Sequence, residues 1–235
     1  VVTATVVNGG TYQLFTNGVP GPVTPLPAAG ATSFAFAGLG GNDILRVINP
    51  AGGIFAPSLG IFYNGGTQSG APGDSLEILN GQALTETFTF LPDSAGSQHN
   101  GTIALVNGGT TANYSYAGLS PDLVNAGMPT KVVFTLPAAD GNNQAILEDD
   151  AGAGNGLTQI RSGNGTFETT IFANPTGSLT LNTGNDGETV TLAAHDSSVA
   201  PATLRISGGT ASDTFNVLAT PAATSPPGSG NGGTD

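Results

Sequence analysis

"SLTLNTGNDGETVTL" (residues 178–192) and "TLRISGGTASDTFNV" (203–217) are one phrase written twice. Each runs through an alternating strand, a Gly-containing corner, an acid and a second alternating strand. Every second residue of the strands is apolar, which is the pattern of a half-buried β-strand. The copies lie about 25 residues apart, the length at which a chain stacks supersecondary units on one another. "GLGGNDILR" (38–46) repeats the turn–acid–strand part near the other end, and "GAPGDSLEI" (70–78) carries it with the acid one place early.

Outward from these phrases the chain keeps the same rhythm. Short apolar runs such as "TETFTFL" (85–91), "GTIALV" (101–106) and "TKVVFTL" (130–136) alternate with turn signals such as "NGG" at 64–66 and 107–109. Gly and Asn supply the positive-φ positions that tight corners need. No stretch has sustained helical periodicity, although "PDLVNAGM" (121–128) is compatible with one short helical turn. The expected fold is all-β: a parallel β-solenoid (β-helix) with irregular coils. The alternative is an antiparallel β-sandwich, whose strands also recur every 8–12 residues or so. The absence of Trp and Cys, and of an obvious tyrosine corner, weighs against an immunoglobulin-like sandwich. Residues 1–218 read as the solenoid module, and the Pro/Gly/Ser-rich 219–235 as a linker or extended tail.

Composition limits the partners. The 235 residues include 37 Gly and 16 Pro, and 38% are apolar, too many for a disordered chain. The net charge is −12, with Arg46, Lys131, Arg161 and Arg205 as the basic residues. Nucleic acid and anionic membranes both require a basic footprint, so neither is an expected partner. Divalent cations suit the sign of the charge, which also serves solubility alone. There is no cysteine, hence no disulfide framework. Scarce Lys and abundant Thr, Ser and Asn point to a secreted, extracellular protein. The start at Val1-Val2 suggests a piece processed or excised from something longer.

Calcium is the ligand the turns call to mind. The β-roll nonapeptide G-G-x-G-x-D-x-U-x is matched by "GLGGNDILR" at Gly38, Gly41, Asp43 and Leu45, and less fully by "GGTASDTFN" around Asp213. Asp43, Asp186 and Asp213 are therefore the candidate calcium residues. A hard cation wants six to eight oxygens or so, more than one turn supplies. The competing reading has each Asp accept hydrogen bonds from its own turn. "EDD" (148–150) reads as a solvated acidic cluster.

Catalysis has little to stand on. His99 and His195 lie in loop-like contexts, and the adjacent His195, Asp196 and Ser197 do not make a triad, which assembles from distant positions. A polysaccharide-degrading β-helix would bring basic residues or paired carboxylates in an aromatic cleft, and no such signature is visible. Sequons at Asn100, Asn113 and Asn164 mark surface if they are glycosylated.

The segments "FAGLGGNDILRVINPAGGIFAP" (36–57), "IFYNGGTQSGAPGDSLEILNG" (61–81) and "GTFETTIFANPTGSLTLNTGNDGETVTL" (165–192) resemble modules repeated within very large secreted bacterial surface proteins. The resemblance covers most of residues 32–218 and implies a β-helical, non-catalytic building block with no established ligand residues. The expected function is thus a structural module of a cell-surface fibre, filament or adhesin. It would self-associate through solenoid ends or strand exchange, with "VVTATVVNGG" (1–10) as the candidate exchanged strand. The alternatives are a calcium- or glycan-binding adhesin module and, behind it, a polysaccharide-degrading enzyme.

Overall fold

The computed structural model describes residues 2–7, 10–26, 31–94, 98–138, 141–152, 154–193 and 203–218. All secondary structure among them is β. The proposed tail at 219–235 and the His195 loop lie outside the described residues. No helix among the described residues is long and apolar enough to cross a membrane.

The chain opens with a meander, β1 (Val2–Val7), β2 (Thr11–Thr16) and β3 (Val19–Pro25). Then it alternates between two sheets. β4 (Phe34–Ala37), β7 (Ile61–Asn64), β10 (Thr85–Ser94), β11 (Gln98–Asn107), β12 (Thr110–Leu119), β14 (Lys131–Thr135), β18 (Ser178–Asn182) and β20 (Thr203–Ser207) make an eight-stranded sheet. β6 (Ile44–Ile48), β9 (Ser75–Leu79), β13 (Pro121–Asn125), β15 (Gln144–Asp149), β16 (Leu157–Ser162), β17 (Thr169–Ala173), β19 (Thr189–Leu192) and β21 (Thr214–Val217) join the opening meander in an eleven-stranded one. A short pair, β5 (Gly40–Gly41) with β8 (Thr67–Gln68), stands apart.

Both sheets are mixed, and the mixture is ordered. The antiparallel pairings join strands consecutive in the chain: β1–β2–β3, β10–β11–β12 and β15–β16–β17. Strands separated in sequence pair in parallel, as in β6–β9–β13–β17 and β10–β14–β18–β20. The hairpins are what purely parallel stacking lacks. In the β10–β12 and β15–β17 meanders the chain runs ahead and then folds back to its predecessor, so β12 returns to β7 and β17 to β13. Within the stretch 121–128, Pro121–Asn125 form β13 rather than a helical turn: Val124 is fully buried between parallel neighbours, and strand hydrogen bonds outweigh a marginal local preference.

Alternation in the sequence becomes alternation in burial. Leu45 and Val47, Leu76 and Ile78, Leu179 and Leu181, and Val190 and Leu192 point into one core between the sheets. Aromatic rings bind its middle: Phe88 stacks on Phe134 at 4.5 Å, Phe90 on Phe167 at 4.6 Å, and Phe134 meets Phe172 edge-on at 4.9 Å. Each such ring contributes about 1.5–3 kcal/mol by burial, and stacked pairs add about 1 kcal/mol more.

Candidate functional site

The corner that leads from the eight-stranded into the eleven-stranded sheet repeats one device. Gly38 follows β4, and its N–H donates to the Asn64 carbonyl at 2.8 Å. Gly65 follows β7 and donates to the Ala117 carbonyl at 2.9 Å. The backbones approach so closely that a side chain would collide. A Cβ on Gly38 would lie 2.6 Å from the Gly65 carbonyl and 2.8 Å from Asp43 Oδ2; one on Gly65 would lie 2.6 Å from both Asp74 Oδ2 and the Gly118 carbonyl. Gly184 with Glu188, and Gly208 with Asp213, repeat the match. The Gly of each phrase thus leaves the space into which the acid of the same turn folds. The pairing of the two residue types in sequence is a packing requirement.

The acids then tie one turn to the next. The Asp43 backbone N–H donates to Asp74 Oδ1 at 2.6 Å, 31 residues away. The Glu188 N–H donates to Asp213 Oδ1 at 3.1 Å, 25 residues away. The same offsets separate the paired strands β6 and β9, and β19 and β21. For Asp74 and Asp213 the accepted hydrogen bond comes from the neighbouring turn, not from their own. Asp43 and Asp74 are fully buried. The Tyr63 hydroxyl reaches across from β7 to donate to the Asp43 carbonyl at 2.8 Å. Burial, with the nearby charges of Asp74, Asp43 and Asp122, pushes the Tyr63 hydroxyl pKa far up, so it stays a donor.

The three candidate calcium residues are not brought to one place. Asp43 sits before β6, and Asp213 before β21, at opposite parts of the eleven-stranded sheet. Asp186 and Asp213 both lie close to Glu188. Burial of Glu188, its hydrogen bond with Asp213 and the charges of Asp213 and Asp186 together raise the Glu188 pKa. Among the described residues no group of three or more His, Asp and Glu side chains has an arrangement suited to a metal ion.

Further buried acids stand within strands or at a strand start, where the sequence patterns did not mark them. Glu86 of β10 lies in register with Leu105 and Val132, is fully buried and has no hydrogen-bond partner on either oxygen. Burial pushes its pKa up to about 8. Asp122 of β13 lies in register with Leu76 and Thr170, and burial lifts it to about 8 against the easing effect of the Leu76 N–H. Glu168, buried before β17, accepts a hydrogen bond from the Tyr116 hydroxyl and is raised well above the usual range by burial. The one available signal was an acid at an apolar parity position, as in "TETFTF", where Glu86 shares its face with Phe88 and Phe90.

Elsewhere, Glu148 of the "EDD" cluster is held by Arg161 at 2.5 Å and Gln159 at 2.8 Å, and Asp150 by Asn155 at 3.1 Å, so the cluster is braced rather than simply solvated. His99 contacts the Asp93 carboxylate at 3.0 Å. A surface groove of about 340 Å³ runs beside Asn125, Met128, Asn155, Asn174 and Pro175. The Asn174 carbonyl oxygen accepts from Thr158 at 2.6 Å, and its buried Nδ2 has no partner. No protein-family model matches this chain, and no curated protein or solved structure is detectably similar to it.

Proposed function

We propose that the chain is a non-catalytic structural module of an extracellular bacterial surface fibre, filament or adhesin, folded as a β-solenoid whose regular coils are interrupted by meanders. One observation carries this reading: the carboxylates of Asp74 and Asp213, at opposite parts of the sheet, each accept a hydrogen bond from the backbone of the preceding acidic turn. The coils are β4–β6, β7–β9, β12–β13, β14–β15, β18–β19 and β20–β21, each stacked in parallel on others of its kind. The β10–β12 and β15–β17 meanders advance opposite sheets by equal numbers of strands, so the coils stay level. Such a stack is stiff along its axis and associates through its ends.

In this reading Asp213 serves the stack through its carboxylate and Asp43 through its backbone N–H, Asp186 lies beside the corner at Glu188, and calcium is not required. Calorimetry with calcium tests that: binding heat with a raised melting temperature, both lost in Asp213→Asn, would move the carboxylates to a ligand role. Small-angle scattering tests the rod itself, and a spherical particle would overturn the solenoid. Turnover of any acidic or neutral polysaccharide, abolished by one carboxylate substitution, would overturn the non-catalytic assignment. A second reading, binding of a surface glycan, is favoured by the groove, which the exposed amide of Asn125 lines within reach of a sugar hydroxyl. Glycan-array binding lost in Asn125→Ala would establish it.

A further inference from the structure

The two ends of the stack are built differently. At one end the sheets stop level: β20 and β21, consecutive in the chain, are the edge strands of the two sheets among the described residues. Val190 and Leu192 of β19 are 2% and 6% exposed, whereas their in-register successors Phe215 and Val217 of β21 are 47% and 61% exposed. Leu204 and Ile206 of β20 are likewise only partly buried, against fully packed Leu179 and Leu181. The apolar column that fills the core therefore runs out to the surface here. Thr214 and Leu218 donate their N–H groups inward, to the Glu188 and Leu192 carbonyls. The alternate residues Phe215 and Val217 accordingly turn their backbone groups to the open edge. Neither strand contains proline.

The other end is defended. β3 reads "VPGPVTP", with Pro20, Pro22 and Pro25 removing donors from the edge strand. The meander β1–β2–β3 also extends the eleven-stranded sheet three strands past β6, while the other sheet stops at β4. A level end cannot meet both edges of so stepped a surface, which excludes head-to-tail stacking.

We propose that the β20–β21 end is a homotypic docking surface, on which a second copy of this chain abuts tail to tail about a twofold axis, each edge strand pairing antiparallel with its counterpart. The proposal rests on the end-associating structural reading above and specifies which end and which partner. Strands of four to five residues in two sheets about 10 Å apart form an end face that buries on the order of 1,000 Å² in total, the lower limit for a specific contact. The pair therefore dissociates on dilution. The contact is isologous and uses both edges of this end, leaving outermost the stepped ends where β3 carries proline and β4 stops three strands short, so it closes at two copies.

The absence of cysteine makes the test direct. Asn216→Cys, at the exposed centre of β21, is expected to give a disulfide-linked dimer of twice the 23.1 kDa chain mass under mild oxidation. Val23→Cys, on the proline-bearing β3, is expected to stay monomeric. Adding Phe215→Asp to Asn216→Cys is expected to lower the dimer yield at least tenfold with the circular dichroism spectrum unchanged. A native chain that stays monomeric at high concentration overturns the proposal, whether its end is bare or covered by residues 219–235. Cross-linking through Val23→Cys, or dimers that survive Phe215→Asp, also overturns it, but leaves a rod-shaped self-associating module standing. A spherical scattering envelope removes the reading beneath it as well.

Discussion

Glu86 and Asp74 are equally hidden from water, and the molecule treats them in opposite ways. Asp74 sits at a corner, over a glycine, with the Asp43 N–H 2.6 Å from its Oδ1. Glu86 sits mid-strand, flanked by Leu105 and Val132, with no partner on either oxygen. A buried carboxylate that accepts a hydrogen bond recovers part of its lost hydration; one without a partner avoids the cost by keeping its proton. Burial raises both pKa values, but the Asp43 N–H eases the rise at Asp74, so the corner acid links turns while the strand acid adds the larger sensitivity to pH.

The widest separation between the two is expected in a pH profile. Glu86 and Asp122 are both pushed up to about 8, from ordinary values of 4.5 and 3.8. Between those limits the folded chain holds protons that the unfolded chain has released. Stability is then fully present below about pH 4 and is lost as pH rises through 8, by about 1.4 kcal/mol per pH unit for each titrating group. Thermal melts at pH 5 and pH 9 should show the higher midpoint at pH 5. Glu86→Leu should raise the midpoint at pH 9 by several kcal/mol's worth and flatten the profile. A melting temperature that climbs from pH 5 to pH 9 would show that these acids are ionised in the fold.

The corner acids are expected to behave in the reverse sense, since removing them destabilises. Asp74→Ala leaves the Asp43 N–H buried without an acceptor, which costs about 1–3 kcal/mol. Asp213→Ala should cost less, because Asp213 is only partly buried and belongs to the last turn among the described residues. Urea unfolding of the two variants checks the order, and an equal loss would mean that burial does not set the strength of the inter-turn bond. Gly65→Ala probes the same corner from the other side. Its added methyl would enter the 2.6 Å spaces held by Asp74 Oδ2 and the Gly118 carbonyl, at a cost of about 1–3 kcal/mol. Asp74→Ala removes Oδ2 but keeps its own Cβ, 2.7 Å from the new methyl, and the Gly118 carbonyl at 2.6 Å, so the Gly65→Ala penalty should shrink only in part in the double variant.

The corner was legible in the sequence and the strand acids were not, for a physical reason. Gly followed by an acid and an alternating strand is a local pattern, and it recurs because one close approach of backbones recurs at Gly38, Gly65 and Gly209. The 25-residue interval reappears as the register of β19 with β21. What the acid bonds to was hidden, because the donor lies a whole turn away. The meanders were hidden for a similar reason: "QHNGTIALVN" and "TTANYSYAGL" alternate like any other strands, and nothing local says that they pair antiparallel with their neighbours. Glu86, Asp122 and Glu168 defeat the pattern itself, since acids at apolar parity positions read as surface residues.

The smallest effect is expected outside the core, where Glu77 supplies the control for both regions. Glu77 lies one strand position beyond inward-facing Leu76, so its side chain leaves the core and meets Arg46 on the neighbouring strand at 2.5 Å. It shares with Asp74 the role of joining turns 31 residues apart. The two side chains remain 37% and 20% exposed, so water and salt screen the pair, and such contacts contribute about 0.2–1 kcal/mol. Arg46→Ala should therefore shift the urea midpoint barely above error, and 0.5 M salt should erase what shift there is. If Arg46→Ala cost as much as Asp74→Ala, charge pairing along the outer face would rank with the buried corner in holding successive turns together.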